Sequence, residues 1–192
     1  MYLQQMIELF TQLNYPETLI KENLLPILQG RVFHERKTLL HKNEIPKELH
    51  FVAKGYGRVS YLNDDQQTIT ARFVKPVESL NLNQDFLKQI PSPVRLEVYK
   101  ESYVYTITYE NFSKLYDNDH QFKKAITLLL AKQLYDKARD AEILKISKLK
   151  FARILAYLPY YPDLKTHASN PEIASKLGIS STTVWRYFNN KK

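Results

Sequence analysis

The chain has no cysteine, and only four of its 192 residues are glycine. Without cysteine there is no disulfide framework, no thiolate zinc site, no iron–sulfur cluster and no thiol nucleophile. Gly30, Gly55, Gly57 and Gly178 are too scattered to build a glycine-rich phosphate loop. Long apolar runs are missing too. The longest, near residues 125–131, is broken by Thr127 and is far shorter than the ~18 residues a membrane span needs. The start, Met1-Tyr2-Leu3-Gln4-Gln5, lacks the basic and apolar regions of a secretory signal. These absences lead us to expect a soluble, cytoplasmic protein with no membrane partner.

What is present is ordinary in composition and unusual in charge. Hydrophobic residues make up 44%, charged residues 25% and aromatics 12%, which suits one or two globular domains. The net charge is +8, and it is not evenly spread. Residues 143–192 hold nine Lys and Arg against Asp163 and Glu172, a net of +7, which leaves +1 for everything before them. A solubilising tail would be polar and unpatterned. This segment instead interleaves its charge with Phe151, Ile154, Leu155, Leu158, Ile173, Leu177, Ile179, Val184 and Trp185. A folded basic module is therefore expected, and such a module suits a polyanion.

Hydropathy patterning divides the chain. Leu3, Met6, Ile7, Phe10 and Leu13 have helical spacing, and Pro16-Glu17-Thr18 opens a second helix through Leu24, Leu25 and Leu28. From about Arg31 to Thr108, short runs rich in β-branched and aromatic residues recur between turns. They include 50–53, 58–62, 68–74, 94–98 and 103–107, with Asn63-Asp64-Asp65 as a hairpin turn. That pattern predicts a β-sandwich or barrel. A long helix is expected from about Asp119 to Lys145, with Phe122, Ile126, Leu129, Leu130, Leu134, Ala138, Ala141 and Leu144 as its apolar stripe. At 1.5 Å per residue it is ~40 Å long, more than a small domain needs. The stripe either packs on its own barrel or also pairs with a second copy, and the length favours a homodimer. Ser147 to Leu158 predicts another amphipathic helix carrying Leu149, Phe151, Ile154, Leu155 and Leu158, ended by Pro159 and Pro162.

Residues 170–190 carry the most specific signal. Asn170 is a candidate N-cap and Pro171 a good first helical residue. Ile173 and Leu177 are candidates for burial, and Gly178 stands where the helix end needs a positive φ. Ser180 or Ser181 caps a second helix, with Val184 and either Tyr187 or Phe188 facing inward. Ala174, Gly178 and Val184 have the spacing of a helix-turn-helix. The candidate DNA-binding residues are Ser180, Ser181, Thr182, Thr183, Arg186, Tyr187 and Asn190. In a major groove, Ser and Thr bond base edges or phosphates, and Arg bonds guanine bidentately. Trp185 is expected to pack toward the preceding helix rather than to stack on a base.

The whole chain resembles the Crp/Fnr family of bacterial transcription regulators. The resemblance rests on 49–55 (Leu-His-Phe-Val-Ala-Lys-Gly), 105–112 (Tyr-Thr-Ile-Thr-Tyr-Glu-Asn-Phe), 172–180 (Glu-Ile-Ala-Ser-Lys-Leu-Gly-Ile-Ser) and 183–186 (Thr-Val-Trp-Arg). It implies an α+β chain. A jelly-roll-like double-stranded β-helix of the cyclic-nucleotide-binding type (1–118) would be followed by a dimerisation helix (119–145) and a helix-turn-helix domain (146–192). It also implies transcription regulation through a palindromic operator, contact with RNA polymerase and a small-molecule effector.

Departures from the family's pattern qualify the effector. Cyclic-AMP-binding members carry Gly-Glu-Leu and then Arg-Ser. Here the corresponding stretches are Val77-Glu78-Ser79-Leu80 and Pro91-Ser92-Pro93, with Arg95 three residues beyond Ser92. The resemblance thus places a ligand pocket at Glu78, Ser79, Leu80, Ser92 and Arg95. Without the Arg–phosphate pair it argues against cyclic AMP. The family's base-contacting Thr-Ser pair is Lys137-Ala138 here. A wing after the second helix is expected to be missing or vestigial, with Lys191 and Lys192 taking over part of its phosphate contacts. No cofactor is expected. The five histidines, His34, His41, His50, His120 and His167, show no metal spacing and are expected at the surface or in loops. No nucleophile–base pair suggests an enzyme. The alternative to a regulator is a sensor or interaction module without a defined operator.

Overall fold

The structure is a computed structural model and describes residues 2–146 and 150–190. Helix α1 (Tyr2–Gln12) leads to a short α2 (Glu17–Leu19), which continues as one π turn (Ile20–Leu24) and one 3-10 turn (Leu25–Ile27). Eight strands follow: β1 (Gln29–Phe33), β2 (Lys37–Leu40), β3 (Glu48–Lys54), β4 (Gly57–Leu62), β5 (Thr68–Val74), β6 (Glu78–Ser79), β7 (Arg95–Val98) and β8 (Ser102–Thr108). A short α3 (Gln84–Lys88) lies between β6 and β7. Then come α4 (Tyr109–Asn118), α5 (His120–Ile146), α6 (Lys150–Tyr157), α7 (Leu164–His167), α8 (Asn170–Leu177) and α9 (Ser181–Asn189). Ser147 and Leu149, expected to open α6, lie outside the described residues.

The strands form two antiparallel four-stranded sheets, ordered β1-β8-β3-β6 and β2-β7-β4-β5. The chain crosses repeatedly between the sheets, which gives the expected jelly-roll. Period-two alternation explains the burial. Leu49, Phe51 and Ala53 of β3 face outward under the helices, with Tyr105 and Ile107 of β8 beside them. Val52 and Val104 point the other way, into the roll, and meet Leu40, Val74, Leu80, Leu96 and Val98. Met6, Leu9 and Phe10 of α1 and Phe122, Ala125, Ile126 and Leu129 of α5 close the outer core. Each large side chain buried this way contributes roughly 1.5–3 kcal/mol.

The interior register corrects one expectation. His50 alternates into the roll, is only 4% exposed, and pairs through Nδ1 with the Thr106 hydroxyl at 2.9 Å. Burial, with help from the positive charge of Arg31, pulls its pKa down to about 4. It is neither a surface nor a loop histidine, because β3 is covered on both faces.

The second helix is also shorter and more irregular than its periodicity suggested. Pro26 cannot donate to an α-helical ladder, and the chain tightens into a 3-10 turn there. The α5 stripe divides. Phe122, Ile126 and Leu129 are buried, but Leu134 is 65% exposed and Tyr135 is 71% exposed, because they lie on the face turned away from the roll, while Gln133 beside them stays buried and bonds Ser79. In α6, Ile154 and Tyr157 are buried while Phe151 and Leu155 remain exposed.

Candidate nucleic-acid interface and effector cavity

Helices α8 and α9 form the helix-turn-helix expected of their sequence, with one shift. Ser169, not Asn170, is the N-cap, and Glu172 reaches back to accept from the Ser169 N–H at 2.9 Å and its hydroxyl at 3.0 Å. Gly178 adopts φ 62°, so the turn uses the conformation that only glycine takes without strain. Arg153 of α6 donates to the carbonyls of Leu177 (3.0 Å) and Gly178 (3.3 Å), which satisfies the open end of α8. Ser180 caps α9, accepting from the Thr183 N–H at 3.2 Å, and the two hydroxyls share a hydrogen bond of 2.8 Å.

This geometry sorts the candidate DNA-binding residues. Ser181, Thr182 and Arg186 lie on the exposed face of α9, and Asn190 is exposed at its end. Ser180 and Thr183 hold the helix start. Tyr187 does not belong with them. It is 8% exposed and packs beside Phe151 and Phe188, because it falls on the same side as the buried Val184. Trp185 is the converse correction. It is 55% exposed, one position before Arg186, and joins the outward face instead of packing. Asn189 shares that face and was not anticipated; its side chain donates to the Trp185 carbonyl at 2.9 Å. The i, i+4, i+8 spacing of Ser181, Trp185 and Asn189 was the signal that would have found both.

The head is docked on the roll. Tyr56, Phe73 and Tyr99 share a core with Ile154, Tyr157, Tyr161, Ile173 and Leu177. Glu172 carries the polar part: its carboxylate lies 2.7 Å from Arg36 and 3.0 Å from Arg58, and it accepts from the Tyr99 hydroxyl at 3.2 Å. Arg36 and Arg58 also bond Glu97 on β7, at 3.1 and 3.3 Å. Burial opposes ionisation of Glu172, but the Ser169 N–H and the two guanidinium groups outweigh it and hold its pKa below the ordinary value. The Thr70 N–H donates to Ser175 at 3.0 Å, and Lys176 donates to the Ala71 carbonyl at 2.8 Å. None of the contacts between head and roll was visible in the sequence, since they join residues 73 or more positions apart.

The residues expected to form one ligand pocket are not brought together. Leu80 lines a cavity of about 350 Å³ between the roll, α5 and α8. Glu78 faces a different cavity beside α1. Ser79 accepts from Gln133 of α5 at 2.7 Å. Ser92 is buried and donates to Asp85 at 2.9 Å, so it is tied to α3. Arg95 sits on the outer side of β7, bonded to Thr38 at 2.7 Å and Glu97 at 3.3 Å. The arginine that does reach the 350 Å³ cavity is Arg72 of β5, with Lys137 of α5 and Lys176 of α8.

Residues 30–119 match the cyclic nucleotide-binding domain family. The roll is a domain of that type. Most of the chain superposes on solved regulators as well. One is the c-di-GMP-responsive global regulator CLP of Xanthomonas campestris, with 20% identity, TM-score 0.69 and 90% of each chain covered. FixK2 of Bradyrhizobium japonicum matches with 17% identity and TM-score 0.70, over 85% of this chain and 84% of that one. A transcriptional regulator of the CRP family from Thermus thermophilus, TTHB099, has 20% identity and TM-score 0.65, over 84% and 83%. At these identities the likeness is one of fold, and the fold is the one the Crp/Fnr resemblance implied. No curated protein matches the sequence. Among the described residues, no helix is long and apolar enough to cross a membrane.

Proposed function

We propose that this chain is a homodimeric, sequence-specific DNA-binding transcription regulator of the Crp/Fnr type, without enzymatic activity, that acts in the cytoplasm. The observation that carries the reading is the outward face of α9. Ser181, Thr182, Trp185, Arg186 and Asn189 form a continuous exposed strip on a capped helix, in the part of the chain that carries the +7 charge. Such a helix fits a major groove, with Arg186 bidentate on guanine and the remaining basic residues on phosphate. The Lys191 and Lys192 contacts suggested by the sequence lie outside the described residues. Leu128, Leu134 and Tyr135 on α5 support pairing with a second copy, which would set two recognition helices against a palindrome. RNA polymerase is the expected protein partner. Cyclic AMP is not the expected effector, because serine stands where the phosphate-pairing arginine would be, Ser92 is tied to Asp85, and Arg95 is bonded to Thr38 and Glu97 on the outer side of β7.

The test is fluorescence anisotropy with the promoter of the chain's own operon and with random duplex of equal length. Arg186→Ala should weaken the specific complex by about tenfold or more and the random one much less. Equal losses would move Arg186 from bases to phosphate. No specific complex at low salt would favour a sensor without an operator.

A further inference from the structure

A cavity of about 920 Å³ opens between the β2–β3 loop, the ends of β3 and β8, and the start of α4. Among the described residues, none of α5 or of the head lines it. Its outer wall is pinned in place. The Asn43 N–H donates to the Ser92 carbonyl at 2.7 Å, the Ser92 N–H to the Glu44 carbonyl at 2.9 Å, and the Gln89 side chain to the Pro46 carbonyl at 2.9 Å. Strand register sets the depth. Thr106 stands opposite His50, and Thr108 opposite Glu48. Residues two apart share a face, so Glu48 and Thr108 form a mouth about 7 Å outward of the His50–Thr106 pair. Leu39, Leu40, Ile45 and Pro46 make the walls apolar. At the floor, His50 is 4% exposed, its Nδ1 is taken by Thr106, and its Nε2 has no partner among the described residues. At the mouth stand three carboxylates, Glu44, Glu48 and Glu110, against one ammonium, Lys47. Glu48 is shared with Arg31 at 3.3 Å and Glu110 with Lys114 at 2.6 Å, both in exposed pairs that hold weakly. Glu44 accepts the His41 N–H at 2.7 Å and has no ion-pair partner among the described residues.

We propose that this cavity binds a small aromatic amine, with its ring against Leu40 and Ile45, its ammonium group at the Glu44 side of the mouth and a ring hydroxyl on His50 Nε2. Each part of that chemistry answers one part of the site. Apolar walls with a few placed polar groups suit a ring. A mouth with an excess of carboxylates draws a cation and repels an anion. A hydroxyl both donates and accepts, so it satisfies Nε2 in either tautomer of His50. Leaving that nitrogen unpaired in an apolar chamber costs free energy that the hydroxyl recovers. The volume exceeds what one ring fills, so amines with a larger apolar body fall in the same class. This site is separate from the 350 Å³ cavity beside α5. The two share only Asn81, whose side chain is occupied by the His50 N–H at 3.0 Å and the Glu48 carbonyl at 2.7 Å. Amine binding here does not depend on whether the head binds DNA.

The experiment is titration calorimetry on the full chain at fixed ionic strength, with three probes. Tyramine carries ring, hydroxyl and ammonium; phenethylamine lacks the hydroxyl; 3-(4-hydroxyphenyl)propionate reverses the charge. Tyramine should saturate one site with Kd below about 1 mM. Phenethylamine should bind about tenfold more weakly, the worth of one hydrogen bond, and the propionate more weakly than tyramine. His50→Leu should bring tyramine to the level of phenethylamine, an effect that a merely structural role for His50 would not produce. Glu44→Gln, on the exposed loop, should weaken both amines severalfold, and carries the test if His50→Leu does not fold. Lys137→Gln, in the cavity beside α5, should leave tyramine binding unchanged. The proposal is overturned if tyramine does not saturate, if phenethylamine binds as tightly, if the propionate binds more tightly, if Glu44→Gln binds as wild type does, or if Lys137→Gln abolishes binding. Failure of the DNA-binding reading would appear instead in anisotropy measured without any amine, so the two failures are distinguishable.

Discussion

Glu172→Ala removes the carboxylate that joins the head to the roll, and its cost can be worked from the contacts. Breaking a buried ion pair by deleting one partner costs about 3–5 kcal/mol. Two features reduce that here. The Arg36 side chain is 41% exposed and can return to water, and Arg58 retains Glu97 at 3.3 Å. The lower end, about 3 kcal/mol, is therefore expected for the pair. Loss of the bond from the Ser169 N–H at 2.9 Å adds about 1 kcal/mol. For a chain of this size each kcal/mol moves Tm by about 2–4 °C, so a drop of roughly 10 °C is expected. Glu172→Gln keeps an acceptor for the cap and loses only the charge, so it should fall about midway. Scanning calorimetry at pH 7 reads both. A loss below about 1 kcal/mol for the Ala variant would refute the reasoning, because the Arg36 and Arg58 contacts would then have no net worth. The pH dependence gives a second check. The folded pKa of Glu172 is depressed, so its contribution is complete above the unfolded carboxylate's value of about 4.3 and disappears as pH falls through the lower folded value. Wild type and Glu172→Gln should converge in stability toward that acid limit, and a constant gap would count against the ion pair.

Other outcomes follow from the same structure. His50 is buried neutral with a pKa of about 4, while the unfolded side chain titrates near 6.5, so between those values the unfolded state binds the extra proton. Stability should fall by up to about 3 kcal/mol as pH drops through that window, and in His50→Gln denaturant melts should show a flatter slope there. An unchanged slope would place the acid sensitivity elsewhere. On α5, Leu134→Glu with Tyr135→Glu should leave monomer stability within about 0.5 kcal/mol of wild type, as exposed positions do, while shifting sedimentation from dimer to monomer. Persistence of a dimer would remove that face from the interface.

The sequence made most of the fold legible because its signals are local. The alternation in 50–53, 68–74 and 103–107 marks β3, β5 and β8, and Asn63 does close the β4–β5 turn by accepting from the Gln67 N–H at 2.8 Å. Ala174, Gly178 and Val184 locate the helix-turn-helix, since the glycine's φ and the two buried side chains are all set within about ten residues. β6 has only two residues and β1 is largely exposed, so neither carries a readable period. Trp185 and Tyr187 were exchanged for a simple reason. Residue type favours burying tryptophan, but helical phase decides, and Val184 places Tyr187 inside. The pocket failed for a different reason. Aligning Ser92 with a family arginine identifies what is absent; it says nothing of an arginine arriving from β5.

Glu172 shows why position along the chain understates what this helix-turn-helix does. In sequence it reads as the third helical residue of α8, a place where a carboxylate complements the helix dipole and the cap. In the fold the same side chain meets two guanidinium groups from the roll, while Ser175 and Lys176, three and four positions on, bond the backbone of β5. Those positions share one face of α8, so the helix is clamped along its length and not at a single point. Helix α9 has no such clamp and presents its polar strip outward.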